Sequence, residues 1–69
     1  MKEVKISTEY IKLGQLLKYI AIIDSGAEAK DFLAENIVKV NEIKEDRRGK
    51  KLFDGDIIEV LDNKYVIKA

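Results

Sequence analysis

The residues best suited to bind a charged ligand surround one glycine: Arg47, Arg48, Lys50 and Lys51 flank Gly49. Arginine presents a planar pair of N–H donors to a phosphate, lysine presents a point charge, and each neutralised phosphate releases counterions. Glycine also lets the backbone approach a partner closely. The cluster therefore predicts contacts with phosphate groups, and the competing interpretation is a solvated loop, since exposed charge runs are common.

Catalytic and metal-binding chemistry has little support in the chain. There is no His and no Cys, so the imidazole base, the thiolate nucleophile and the commonest metal ligands are all missing. Ser7 and Ser25 have no His partner, and the four glycines form no phosphate-binding P-loop. Asp54 and Asp56 flank Gly55 and are predicted to form a turn. We expect no enzyme activity, no metal and no cofactor.

Charge is balanced over the whole chain but not along it. Thirteen Lys and Arg residues oppose thirteen Asp and Glu residues, whereas nucleic-acid-binding domains are usually basic. Residues 44–51 carry five cations and two anions, a local excess of three. Lys44 lies beside Glu45 and Asp46 in the sequence, and we expect it to be neutralised locally. A local patch can still support a local contact with an anion.

No segment has the composition of a membrane span or a secretory signal. The longest apolar run covers residues 19–23, far short of the roughly 20 residues that a spanning helix needs. The first residues alternate in polarity and lack a continuous apolar stretch. We therefore expect a cytoplasmic protein with no membrane partner.

Two amphipathic helices are predicted in the first half of the chain. Helix 1 is expected over residues 13–22, and helix 2 from near Gly26 to residue 35. Apolar residues recur with helical spacing on both: Leu13, Leu16, Leu17 and Ile20 on helix 1, and Ala29, Phe32 and Leu33 on helix 2. Ser25 and Glu28 have the spacing of a capping box, and Asn36 is expected to end helix 2 in a left-handed conformation.

Short strands are predicted around the helices from period-two alternation and β-branched residues. They cover residues 4–7, as an edge strand, and residues 37–41, 56–61 and 64–67. Asn41-Glu42 is expected to turn the chain, and Asp62-Asn63 to close a hairpin between the last two strands.

Sixty-nine residues make one domain, residues 1–69, that should bury roughly 60% of the surface its unfolded chain exposes. No run can bury its apolar face alone, so the prediction is an α+β fold with one shared core. Of Tyr10, Tyr19 and Tyr65, at least two are expected in that core, and the others could stack on unpaired bases.

The order of these signals resembles the S-four-type RNA-binding domain, also called the alpha-L motif. The resemblance covers about residues 11–62 and is carried by Leu-Gly-Gln-Leu-Leu-Lys at 13–18, Ser-Gly-Ala-Glu-Ala-Lys at 25–30, Val-Lys-Val-Asn at 38–41 and Gly-Asp-Ile-Ile-Glu-Val at 55–60. The run Arg-Arg-Gly-Lys-Lys-Leu at 47–52 is more narrowly similar to the stand-alone YaaA-type branch of the family.

The resemblance implies two short helices packed on a small, mostly antiparallel sheet, and a non-enzymatic module that docks on structured ribosomal or transfer RNA, with the ribosome as a candidate partner. It adds Lys12 and Lys30 to the loop cations as RNA-binding candidates. Gly26 stands where larger members often carry Arg, and Glu42 replaces the Gly of the usual Val-Asn-Gly turn.

A protein-interaction module or regulatory adaptor on the same fold is the alternative, and the neutral net charge is its best support. The two hypotheses predict different positions for the cations. Binding to RNA requires Lys12, Lys30 and the loop cations to converge on one surface. A monomer is the default expectation.

Overall fold

The computed structural model describes residues 1–69. It has two helices and seven short strands, and the strands form two sheets. The strands are β1 (Lys2–Lys5), β2 (Tyr10–Lys12), β3 (Lys39–Val40), β4 (Ile43–Lys44), β5 (Lys51–Phe53), β6 (Ile57–Val60) and β7 (Asn63–Lys68). The helices are α1 (Leu13–Tyr19) and α2 (Ala29–Glu35), the second preceded by a 3₁₀ turn, Gly26–Glu28. This confirms the α+β class.

The larger sheet has the order β1-β7-β6-β3-β4, and β2 pairs with β5 in a separate two-stranded ribbon. Only β1 and β7 are parallel, with Val4 opposite Ile67, so the sheet is mostly antiparallel as expected. β1 is an edge strand, as predicted, but it covers Lys2–Lys5 and not residues 4–7. Alternation shows which residues face the core, and Val4 does, but it does not show where the ladder ends.

The two helices and the two sheets share one hydrophobic core. It contains Val4, Leu13, Leu16, Leu17, Ile23, Ala29, Leu33, Val38, Val40, Leu52, Ile58, Val60, Tyr65 and Ile67, and no polar side chain is buried. Ile20 and Phe32 are only partly buried against it. The expectation that two tyrosines would be in the core is wrong: Tyr65 is 7% exposed, Tyr10 is half-buried, and Tyr19 is 63% exposed.

Helix α1 ends three residues earlier than predicted, because the chain turns at Ala21. The N–H of Ile22 donates to the Leu17 carbonyl, and the N–H of Ala21 donates to the Lys18 carbonyl. Ala21 itself has a φ of 63°. This is a Schellman motif with alanine at the left-handed position that usually holds glycine. The sequence has no Gly at this position to indicate the end of the helix. The helical spacing of the apolar residues therefore predicts a longer helix than the one observed.

Helix α2 ends at Glu35, as predicted, but the caps predicted at its two ends are wrong. The helical path does begin at Gly26, but as a 3₁₀ turn, and the capping box is not formed: the Ser25 hydroxyl lies 3.5 Å from the Glu28 carboxylate and caps no backbone N–H. Asn36 is extended (φ −128°, ψ 146°), not left-handed. Its backbone N–H and its side-chain Nδ2 both donate to the Phe32 carbonyl, which satisfies the helix terminus without a positive φ.

Both predicted hairpin turns exist, one of them shifted by a residue. Asn41 and Glu42 have φ values of 50° and 71°, as a type I′ turn requires, and they join β3 to β4. The last hairpin turns at Leu61-Asp62 and not at Asp62-Asn63, because Val60 pairs with Asn63. The strand expected over residues 37–41 is reduced to Lys39–Val40.

Candidate nucleic-acid interface

The basic loop, residues 45–50 between β4 and β5, is fixed to the start of helix α1 by backbone hydrogen bonds. The first N–H groups of a helix have no partner within the helix. Here the N–H of Leu13 donates to the Lys50 carbonyl at 2.8 Å, and the N–H of Gly14 donates to the Arg48 carbonyl at 2.9 Å. The loop carbonyls therefore cap the helix, while the loop's cationic side chains remain available to a ligand.

Gly14 lets three segments come together at this point. A Cβ atom on Gly14 would lie 3.3 Å from the Cβ of Ala29 and 3.4 Å from both the Cβ and the carbonyl oxygen of Arg48. Contacts of that length are tighter than ordinary van der Waals contacts. The absent side chain thus allows α1, the start of α2 and the basic loop to pack directly against one another.

The ribbon of β2 and β5 places further cations beside the loop. Lys12 pairs directly with Lys51, and Tyr10 pairs with Phe53. Because side chains alternate along a strand, these four share one face of the ribbon. The Nζ of Lys51 lies 4.8 Å from the centre of the Tyr10 ring, whose centre is 5.8 Å from that of Phe53. The face therefore combines two cations with two aromatic rings.

The structure groups the six candidate side chains unevenly. Lys12 and Arg48 line one small cleft of about 260 Å³, formed where α1, the 3₁₀ turn and the basic loop meet. Arg47, Lys50 and Lys51 line a neighbouring cleft of about 440 Å³ that also contains Phe53. Lys30 is exposed on the first turn of α2, next to the Ala29 that packs near Gly14, but it lines neither cleft.

Arg47 differs from the other loop cations because Glu45 neutralises it. The Arg47 Nε and Nη2 donate to the two Glu45 carboxylate oxygens, each at 2.9 Å, and the backbone N–H of Arg47 donates to Glu45 at 3.0 Å. The Glu45 side chain is 12% exposed and that of Arg47 is 69% exposed. The side-chain bond from Arg47 lowers the pKa of Glu45 to about 2, and Glu45 raises the pKa of Arg47.

The expectation that Lys44 would be neutralised locally, beside Glu45 and Asp46, is wrong. Glu45 and Arg47 form the one ion pair of the chain, and Lys44 is exposed on β4. Arginine offers a two-pronged donor that matches a carboxylate, which lysine cannot. The backbone N–H of Arg47 is bonded to the same carboxylate and adds a third contact.

Tyr10 and Phe53 have a place in this surface that the sequence did not reveal. The sequence indicates only that Tyr10 is one of three tyrosines that could stack on a base, and it gives no signal for Phe53. Pairing of residues 10–12 with residues 51–53 brings the two rings together. No local pattern marks this pairing, because each segment has only three residues.

The acidic residues of the turn serve the fold. The Asp56 carboxylate accepts hydrogen bonds from the N–H of Phe53 at 2.8 Å and from the Asn41 side chain at 3.0 Å, and Asp54 accepts one from the N–H of Ala69 at 3.0 Å. They are turn formers, as predicted. No group of three or more Asp or Glu side chains is arranged to hold a metal ion. None of the helices is both long and apolar enough to cross a bilayer.

Comparison with known proteins shows the family to which the chain belongs. The sequence profile described as S4 domain matches residues 4–68. The chain is 49% identical over 57 residues to a Bacillus subtilis (strain 168) protein named "Probable ribosome maturation protein RlbA", covering 83% of this chain and 80% of that protein. The resemblance noted in the sequence is thereby confirmed, and this chain belongs to the S4 domain family.

Proposed function

We propose that this protein is a non-enzymatic module that binds structured ribosomal RNA while ribosomal subunits mature in the cytoplasm. The observation that carries the proposal is the position of four cations around the start of helix α1: Lys12 pairs with Lys51 and shares a cleft with Arg48, and Lys50 lies between Arg48 and Lys51 in the chain. They come from β2, the basic loop and β5, and backbone bonds to helix α1 hold the loop in place. A fixed group of cations in a chain of zero net charge favours contact with a polyanion at this one place.

The similarity to a protein named for ribosome maturation favours ribosomal RNA over transfer RNA as the target. The cations of this surface favour contacts with the RNA backbone. Lysine and arginine contacts to phosphates position a protein on a nucleic acid without reading the base sequence. Side chains cannot enter the deep, narrow major groove of an RNA helix, so a duplex is recognised mainly by shape and phosphates.

The candidates should contribute unequally to affinity. Arg48, Lys50 and Lys51 make no ion pair and can each neutralise a phosphate, whereas Arg47 would first have to leave Glu45. Lys12 lies opposite Lys51, so a phosphate between them would also relieve the repulsion of two like charges. Lys30 is proposed as a peripheral contact, reached by an RNA that extends across the start of α2.

The test is a salt titration of binding to ribosomal subunits, subunit precursors and ribosomal RNA fragments. The variant Arg48→Ala/Lys50→Ala/Lys51→Ala is compared with Lys5→Ala/Lys64→Ala/Lys68→Ala, which removes the same charge from exposed positions on β1 and β7. Circular dichroism establishes that both variants are folded. We expect the first variant to bind more weakly and to lower the slope of log K against log salt by about 0.7–0.9 for each lost contact.

Two results would contradict the proposal. The parent could fail to bind any of these RNAs above background at low salt, which would favour the protein-interaction alternative. The two variants could also lose equal affinity, which would mean that only total charge matters and that the surface has no special role.

A further inference from the structure

A groove between β2 and helix α1 is larger than either of the clefts lined by the loop cations. It has a volume of about 810 Å³ and is lined by Tyr10, Lys12, Gln15, Lys18 and Tyr19, together with Thr8, Glu9 and Ile11. This volume lies within the range of small-molecule sites, roughly 300–1,000 Å³. A single nucleotide is therefore an occupant of suitable size.

The groove has one aromatic side chain and one lysine on each wall. Tyr10 and Lys12 alternate onto the same face of β2, while Lys18 and Tyr19 follow each other at the end of α1. Tyr19 is a large ring that is 63% exposed, which no packing requirement of the core explains. Glu9 is the single acidic side chain in the lining, so the lining carries a net charge of +1.

Local hydrogen bonds hold the walls of the groove. The Thr8 hydroxyl donates to the Tyr10 carbonyl at 2.8 Å, and the Lys12 N–H donates to the Gln15 side chain at 3.0 Å. Lys51 and Phe53 contact the Tyr10 ring from the ribbon. The Tyr10 wall is therefore supported before any ligand arrives, which reduces the entropy lost on binding.

We propose that this groove holds one unpaired nucleotide of the bound RNA, with its base against Tyr10 and Tyr19 and its phosphates near Lys12 and Lys18. Aromatic rings can stack only on a base whose face is free, and the bases of a duplex already stack on each other. Lys12 also lines the cleft that contains Arg48, so the groove continues that cleft toward the end of α1. This inference rests on the proposed RNA-binding function and adds the kind of RNA feature that is recognised.

The experiment uses three RNA hairpins that differ at one position: a fully paired stem, the same stem with one bulged adenosine, and the same stem with an abasic bulge. The parent is expected to bind the adenosine bulge about tenfold more tightly than the paired stem, as expected for stacking of one base on an aromatic side chain. The abasic bulge, which keeps the phosphate and lacks the base, should lose most of that preference.

Variants separate the groove from the basic loop. Tyr19→Ala should remove the preference for the bulged base, and Tyr19→Phe should keep it. Ile37→Ala serves as the matched control, since Ile37 is 65% exposed and does not line the groove. Arg48→Ala/Lys50→Ala, which keeps the Lys51 side chain beside the Tyr10 ring, should weaken all three hairpins by the same factor and leave their ratio unchanged.

The inference is overturned if the parent binds the paired stem and the adenosine bulge equally, or if Tyr19→Ala leaves the preference intact. Either result is compatible with the proposed function, because binding of the paired stem would still depend on the basic loop. If the parent binds neither the hairpins nor ribosomal subunits, the proposed function itself is wrong.

Discussion

Glu45 determines how much of the loop's positive charge is free to contact a phosphate. Its carboxylate accepts two side-chain bonds and one backbone bond from Arg47, a residue that the sequence groups with its three neighbouring cations. The sequence alone gives Arg47 and Arg48 the same standing. The structure separates them, because one is paired with an acid and the other is not.

Replacing Glu45 should therefore strengthen RNA binding. In Glu45→Gln, Arg47 loses its charged partner and the surface gains one positive charge. We expect affinity for ribosomal RNA to rise and the salt slope to steepen by up to about 0.7–0.9, the value for one added phosphate contact. Binding titrations at several salt concentrations measure both. Glu42→Gln, an equal change in net charge at an exposed turn, is the control, and an equal gain in both variants would contradict the prediction.

The same residue should leave a signature in acid. The pKa of Glu45 is about 2 in the folded protein, below its ordinary value of 4.5, so the folded state binds fewer protons than the unfolded state between these values. The stabilisation is complete above pH 4.5 and is lost as the pH falls toward 2. Denaturant unfolding across this range should show a smaller fall in stability for Glu45→Gln than for the parent, and parallel curves would refute the assignment.

Among the elements, the start of helix α1 has two roles, since it packs against α2 and supports the basic loop. Both depend on Gly14, where a side chain would meet Ala29 and Arg48. Helix propensity alone would favour almost any other residue at this position. The glycine is therefore explained by close packing and not by the helix that contains it.

Gly14→Val should uncouple the loop from the helix. Overpacking of this kind costs about 1–3 kcal/mol, and the displaced loop would lose its bonds from Leu13 and Gly14. We expect a lower free energy of unfolding in urea and weaker RNA binding in conditions where the variant is still folded. Gly26→Val is the control, because a Cβ at Gly26 meets no atom within 4 Å. If Gly14→Val bound RNA as tightly as the parent, the loop's anchoring would be irrelevant to function.

At the scale of the whole molecule, the sequence predicts those elements whose buried face is long enough to produce a regular spacing of apolar residues. Leu13, Leu16 and Leu17 repeat with helical spacing because one face of α1 lies in the core, so the helix and its inner face were both predictable. The strands β2, β4 and β5 have only two or three residues each, too few to show a period. Strand β4 exists because a two-residue turn folds it back on β3. Strands β2 and β5 exist because they pair with each other from distant parts of the chain, which local sequence does not report.

The shifted turn is not explained by which residues face the core. Moving the turn by one residue shifts each cross-strand pair by two, so Ile58, Val60, Tyr65 and Ile67 would share one face in either register. In the observed register the turn falls on Leu61 and Asp62, and Leu61 has a φ of 48°, where leucine is uncommon. Local residue preference, which favours Asp62-Asn63, therefore does not locate this turn.

The candidate interface was predictable only in part, for the same reason. Clustering along the chain identified the loop cations, and the family resemblance added Lys12 and Lys30. The pairing of Glu45 with Arg47 depends on side-chain geometry. The alignment of Tyr10 with Phe53 and of Lys12 with Lys51 depends on a ribbon between the two halves of the molecule. Neither has a signature in a single segment.

The order of the larger sheet also governs how the protein can fold during its own synthesis. Strand β7, residues 63–68, is made after every other strand, yet it lies between β1 and β6 and contributes Tyr65 and Ile67 to the core. Until β7 has left the exit tunnel of the translating ribosome, β1 has no hydrogen-bonding partner and Val4 has no Ile67 to face. The first strand therefore lacks its partner until residues 63–68 have emerged, and only then can the larger sheet close.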